Sequence, residues 1–392
     1  VRAGPRVSTS AGFAAQGFVL VMILSSLGSI EDRYGVDDGA ITAAVLGVLV
    51  AAALGTGVAD MLSRRAGGSR SALALGLVGI GVIVPLLAVV PSFALAVVGF
   101  AVYGLFLGMV DAGTNMQAVS VQRDAGRPIM AGFYASWSAG AILAPLVVSA
   151  TADSWPIEPV HVLFLLATPV TWTAAALVWR DGHRGHDVPL VDAADRPRAH
   201  IPWRAVSVLG VAVVAFFVAD NAAQTWSTIY LDKVLHASDR GAPLALAAYL
   251  TTTLVSRLVG DRLVARFGRV RVVRVASLVG AAGLLAVIVA PGPLVAIVGF
   301  AVTGAGLGLI APLCFSAAGA LAPDHADAVI ARLNIFNYVG TLLGAVLVGA
   351  IGSASSFRAG FVVPVVLVLV VTAIAGRFAA PARDEQVQEV AA

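Results

Sequence analysis

The feature that most limits this chain is a run of apolar stretches, each about as long as one membrane crossing. They lie near 9–29, 40–62, 71–90, 92–119, 128–151, 159–179, 204–231, 241–263, 272–290, 293–321, 328–351 and 357–379. A hydrocarbon layer about 30 Å thick takes about 20 helical residues. Inside it no water meets the backbone N–H and C=O groups, and an α-helix satisfies them locally. The pattern predicts an all-α membrane protein with twelve transmembrane helices. Composition agrees: 59% of residues are hydrophobic and 12% charged, against about 25% charged in soluble domains.

Charges concentrate between the stretches, and arginine carries nearly all the positive ones. Arg2 and Arg6 precede the first span, Arg64, Arg65 and Arg70 follow the second, and Arg123 and Arg127 follow the fourth. Arg180 to Arg204 flank the centre, Arg262 to Arg274 follow the eighth span, and Arg377 and Arg383 follow the last. The alternate loops hold only Arg33, Lys233, Arg240 and Arg358. Retained positive charge marks the cytoplasmic side, so both termini and the central loop are expected there. The sequence pI near 9.3 then reflects topology, and no nucleic-acid partner is expected. The first apolar stretch is long enough to remain as a span, so it is not read as a cleaved signal. The polar stretch at the centre divides the chain into a bundle over 1–180, a linker over 181–203, a second bundle over 204–380 and a tail over 381–392. The linker histidines His183 and His186 are expected to be solvated.

The two halves repeat one phrase. AVVGFAVYGLFLGMVDAGTNMQA at 96–118 returns as AIVGFAVTGAGLGLIAPLCFSAA at 296–318. Span two ends TGVADMLSRR and span eight ends VGDRLVARFGR, both with an acid and arginines. Equivalent spans run in the same direction, so the expected architecture is two pseudo-symmetric six-helix bundles in a parallel repeat. Gly99, Gly104 and Gly108 match Gly299, Gly304 and Gly308, and mark a face where a second helix can approach closely. Gly304-x-Gly306-x-Gly308 follows no strand and is not a dinucleotide fingerprint.

Against this background, ionisable groups inside spans are functional candidates. A carboxylate at mid-membrane costs about 2.5–3.5 kcal/mol on insertion scales. Asp111 in span four and Asp220 in span seven can be charged when wet and neutral when sealed, which suits proton coupling. Around them, Gln16, Asn115, Tyr134, Trp137, Asn221, Gln224, Trp226, Asn334, Asn337 and Tyr338 are candidate solute contacts. Asparagine and glutamine offer both donor and acceptor, and the aromatic rings offer stacking surfaces. Structural readings compete at each position: interhelical hydrogen bonds for the acids, interfacial anchoring for the rings. Asp60 with Arg64, and Asp261 with Arg257, stand at i,i+4 helical spacing. Arg257 lies deeper than the other arginines and is expected to pair or face a cavity. Cys314 is the sole cysteine. The chain shows no nucleophile–base pairing, metal-ligand cluster or nucleotide loop, so neither an enzyme nor a cofactor is expected.

Twelve spans, the 6+6 repeat, the charged linker and the acid–arginine turns after spans two and eight resemble the major facilitator superfamily. Within it, VDAGTNMQAVSVQRDAGRPIMAGFYASWSAG (110–140) and RLVGDRLVARFGRVRV (257–272) resemble the YbjJ-like bacterial branch. The resemblance implies a secondary transporter of the bacterial inner membrane, acting as a monomer with lipid, a small solute and a proton as partners. It also implies that Asp60, Arg64, Arg65, Arg257, Asp261 and Arg266 form a conformational latch. The sequence departs from the superfamily signature at Met61, Ser63 and Ala265. A polar, sugar-like or amide-bearing solute is expected. The alternatives are an exporter of drugs or hydrophobic metabolites on the same fold, and a non-transporting membrane sensor.

Overall fold

The computed structural model describes residues 3–65, 67–152, 159–183, 202–238 and 241–379. The expected linker beyond His183, with His186, and the tail at 381–392 lie outside them. The α-helices run in order as α1 (Ala3–Ser25), α2 (Leu27–Tyr34), α3 (Asp38–Ser63), α4 (Gly68–Leu87), α5 (Phe93–Ala125), α6 (Met130–Ala152), α7 (Pro159–Asp181), α8 (Trp203–Lys233), α9 (Leu244–Phe267), α10 (Arg269–Val289), α11 (Pro293–Leu307), α12 (Ile310–Leu321), α13 (Ala326–Ala354), α14 (Phe357–Gly360) and α15 (Val362–Ile374). Among the described residues there is no strand. Among the described residues, ten helical segments are long and apolar enough to cross a membrane. At 23 and 24 residues, α7 and α9 are also long enough; α9 carries Arg257, Asp261, Arg262 and Arg266, and α7 ends in Arg180 and Asp181. With these two the twelve expected spans are all helical.

The helices form two compact units. One comprises Val1–Gly126 and Phe133–Arg198, the other Arg127–Gly132 and Ala199–Ala392. In the first, α3 packs along α5 through glycines on both helices. A Cβ on Gly104 would run into the Val48 carbonyl, one on Gly108 into that of Ala52, and one on Gly55 into that of Leu105. In the second, Gly304 meets the Tyr249 carbonyl and Gly308 the Ser256 hydroxyl of α9. The glycine phrase therefore builds the same kind of seam in each unit, with dispersion contacts between backbones replacing the hydrophobic drive that lipid removes.

Two short turns carry a second likeness. α4 ends just before Pro91 and α10 just before Pro291, and a helix end leaves its last carbonyls without partners. Arg33 donates to the carbonyls of Ala88 (2.5 Å) and Val90 (3.3 Å), and the Tyr34 hydroxyl also donates to Val90 (2.9 Å). Two hundred residues on, Arg358 donates to Ile288 (2.6 Å) and Ala290 (2.8 Å), while the Tyr230 hydroxyl donates to Val287 (2.8 Å). Arg33 ends α2 and Arg358 lies in α14, so different parts of the repeat deliver the same cation to the same carbonyls. This explains the presence of Arg33 and Arg358 in the arginine-poor loops: a guanidinium suits the negative end of a helix.

Three spans depart from a single continuous helix: the first ends at Ser25, the twelfth is interrupted at Phe361, and the tenth breaks at its middle. Span ten, expected as a continuous helix over 293–321, is broken between α11 and α12 at Gly308–Leu309. Pro312 lies four residues beyond Gly308, has no N–H to give it, and crowds its carbonyl. The first copy has Ala112 at the corresponding place, and α5 runs unbroken for 33 residues.

Candidate functional site

In the first unit, α1, α5 and α6 bring together four of the candidates. The Gln16 amide donates to the Asp111 carboxyl at 3.0 Å, and the Thr114 hydroxyl donates to the Gln16 carbonyl oxygen at 3.4 Å. Asn115, one turn from Asp111, donates from its Nδ2 to the Asp111 backbone carbonyl at 2.9 Å. The Tyr134 hydroxyl donates to Asn115 Oδ1 at 3.0 Å, and its ring packs 5.4 Å from that of Phe13. Gln16, Asn115 and Tyr134 are buried, while Asp111 is only partly so. Asp111 and Asn115 share a face because they lie one helical turn apart; the crossing of α1 over it was not readable locally. Gly12 lets α1 approach Thr114 of α5, and α1 also packs closely on α6, where Gly17 meets the Trp137 carbonyl and Gly140 that of Ala14.

In the second unit, Asp220 is 8% exposed. One of its carboxylate oxygens accepts from Gln224, one turn on in α8, at 2.7 Å. The other accepts a short hydrogen bond from the fully buried Tyr249 of α9. Tyr249, Thr253, Ser256, Arg257 and Gly260 make up one buried face of α9. Arg257 is 5% exposed. Its Nε donates to the Gly308 carbonyl at 3.2 Å, the carbonyl that Pro312 displaces from the helix ladder. Tyr249 was absent from the sequence-stated candidates. The polar spacing at 249, 253 and 257 is the signal that could have pointed to it.

The remaining candidates are placed as follows. Asn221 donates back to its own helix at Phe217 (3.0 Å). Trp226 packs its ring 5.4 Å from Phe357 and against Gly349; its indole N–H has no hydrogen-bond partner among the described residues. Asn334, Asn337 and Tyr338 are all buried on α13, where Thr341 donates to Asn337 at 3.3 Å. Trp137 is partly buried on α6.

The charged turns are arranged unequally. Asp60 and Arg64 form an ion pair at 2.7 Å, with Arg65 exposed beside them. Asp261 instead accepts from the backbone N–H groups of Ala131 (2.9 Å) and Gly132 (3.0 Å). These belong to the first turn of α6, so Asp261 caps the positive end of a helix from outside it. Arg266 lies over the neighbouring Phe267 ring at 5.2 Å.

His183 does not match the expectation of a solvated linker histidine. Its side chain is 14% exposed and pairs with Asp124 at 2.8 Å. The buried Gln117 amide grips its backbone, donating to the carbonyl (2.8 Å) and accepting from the N–H (2.8 Å). Sequence spacing could not show this contact across 66 residues.

These features define a polytopic membrane protein with carboxyl groups held inside two helical units. The family profile described as Major Facilitator Superfamily matches residues 7–242 and 208–391, and the chain belongs to that family of transporters. An uncharacterised MFS-type transporter of Yersinia pestis is 27% identical over 374 residues, covering 94% of each chain. The chain is similar in fold to the transporter FucP in its outward conformation, with a TM-score of 0.78 at 15% identity, covering 96% of this chain and 98% of that one. It is also similar to the proton:xylose symporter XylE, with a TM-score of 0.77 at 12% identity, covering 95% and 94%.

Proposed function

We propose that this protein is a secondary active transporter of the bacterial inner membrane, with both termini cytoplasmic. It moves a small polar solute by alternating access and couples that movement to protons through Asp220 and Asp111. The observation that carries the reading is the Asp220 carboxyl, buried in a 31-residue span with donors on both oxygens. An acid in that position costs the fold energy and is retained in spans chiefly along ion or proton paths. When water reaches it the carboxyl ionises; when the span is sealed the neutral form is favoured. Asp111, joined to Gln16 of another helix, offers a second such group. The Asp60–Arg64 pair and the Asp261 cap serve as latches whose making and breaking favour one state over another. The fold's similarity to a proton:xylose symporter supports a proton-coupled reading.

The test is solute accumulation in proteoliposomes under an imposed pH gradient. Asp220→Asn is expected to abolish gradient-driven accumulation while leaving exchange of labelled for unlabelled solute intact, and Asp111→Asn to reduce accumulation. Full accumulation by Asp220→Asn would overturn the assignment.

A further inference from the structure

A charged surface of the second unit has no part in the roles given to Asp220 and Asp111. The stretch RFGRVRVVR (266–274) joins α9 to α10 with four arginines and no acid. In α10, Val272, Val273, Ala276, Ser277 and Gly280 are buried, which turns the opposite stripe outward. That stripe begins with the exposed Arg271 and Arg274. It continues through Val275, Leu278 and Leu285, exposed apolar residues at helical spacing. A fifth arginine arrives from the far end of the chain. The one-turn extension Ala375–Phe378 follows α15, and Arg269 donates to the Phe378 carbonyl at 3.3 Å. This brings the exposed Arg377 to the same end of α10. Farther along, the Ser277 and Thr372 hydroxyls share a hydrogen bond at 2.8 Å, so α10 and α15 lie side by side. Neither helix nor the extension carries an acidic residue. Among the described residues, Arg271, Arg274 and Arg377 have no ion-pair partner. The first unit differs. Its α4 has a single arginine, Arg70, which donates to the Trp179 carbonyl at 3.0 Å, and Arg180 at the end of α7 pairs with Asp181 at 2.7 Å. The repeat therefore does not demand the second unit's cluster. Nor does topology: an arginine anywhere in the loop satisfies the positive-inside bias, whereas Arg274 stands within α10, about 7.5 Å along the axis from Arg269.

We propose that the outer face of α10, with the end of α15, is a binding site for an anionic phospholipid. The lipid phosphate sits among Arg271, Arg274 and Arg377, and an acyl chain lies along Val275, Leu278 and Leu285. Residues three apart on a helix stand about 5–6 Å from each other, so two guanidinium groups reach one phosphate. Each can give it two parallel hydrogen bonds. Arg274, set deeper than Arg271, lays its apolar stem on the helix surface and lifts its charged head to the phosphate level. Arginine clusters at the end of a membrane helix draw anionic headgroups by about a factor of five per residue near the surface. The exposed apolar stripe adds chain contact that a free phosphate lacks. The site is independent of the solute and of any proton role for Asp220 or Asp111.

The experiment is native mass spectrometry of the purified full chain, loaded from micelles with equal amounts of phosphatidylglycerol and phosphatidylcholine of identical acyl chains. The expected result is retention of phosphatidylglycerol over phosphatidylcholine by at least about fivefold. The combined variant Arg271→Gln, Arg274→Gln, Arg377→Gln should bring the ratio close to one. Arg269 stays in place there, so its bond to Phe378 is kept. Each single glutamine variant should lower the ratio by itself, so the test does not hinge on the combined variant folding. Lysine at the same three positions, which keeps the charge, should retain most of the preference. Arg6→Gln with Arg65→Gln, which removes exposed arginines of the first unit, should leave the ratio unchanged. Glycerol phosphate, a headgroup without chains, should not displace the lipid at equal concentration. Equal retention of the two lipids by the wild type overturns the proposal, as does a preference unchanged in every glutamine variant. So does an equal loss in the Arg6 and Arg65 variant, or displacement by glycerol phosphate. A preference that emerges only after Asp384→Asn, Glu385→Gln and Glu389→Gln overturns it by giving the arginines to the chain's own acidic end. A wild-type dimer that dissociates in the glutamine variants overturns it by giving the face to a second copy.

Discussion

Gly55 and Gly57 lie two residues apart on α3 and allow the seam between helices to be weighed against helix propensity. An alanine Cβ at Gly55 would sit 2.8 Å from the Leu105 carbonyl carbon and 3.1 Å from its Cα. Ordinary carbon contacts are about 3.5–4.0 Å, so α3 and α5 would have to part locally by about 1 Å. Overpacking of this kind costs about 1–3 kcal/mol. At Gly57 an added Cβ meets nothing within 4 Å. Both substitutions gain the same helix propensity, about 1 kcal/mol, so that gain cancels in the comparison. Gly55→Ala should therefore be about 1–3 kcal/mol less stable than Gly57→Ala. For a unit of this size 1 kcal/mol moves the melting temperature by about 2–4 °C, so the two variants should melt roughly 2–12 °C apart in detergent. Equal melting temperatures would refute the claim that backbone contact at these glycines holds the first unit together.

Other residues make separate predictions. Arg358→Gln and Arg33→Gln each release two carbonyls at a helix end and should each lose about 1–3 kcal/mol; lysine should rescue poorly, because a single ammonium lacks the guanidinium's fork. Thermal melts of the four variants check this. Asp261→Asn removes the charge that caps α6 and should cost about 0.5–2 kcal/mol, seen as faster amide hydrogen exchange at Ala131 and Gly132. Gln117→Leu keeps the bulk but loses the grip on His183 and on Ser69 (3.0 Å), and should speed exchange at the His183 amide while leaving that at Tyr134 unchanged.

What the sequence determined by itself was set by the solvent. Lipid demands about twenty apolar residues per crossing and self-satisfied backbone, so helix number and family could be read from runs such as 92–119. The repeat at 96–118 and 296–318 revealed the two units because equivalent seams need glycine at equivalent places. The Asp111–Asn115 face was legible because helical spacing is a local property. Partners drawn from distant helices were not. Gln16 reaches Asp111 across 95 residues, Tyr249 reaches Asp220 across 29, and Gln117 reaches His183 across 66. Which face of a helix meets which neighbour depends on side-chain packing, and in a uniformly apolar helix no periodicity reports it. The break at Gly308 had its cause in view, since Pro312 denies that carbonyl its donor. Only the tertiary structure decided that a buried arginine would supply one instead.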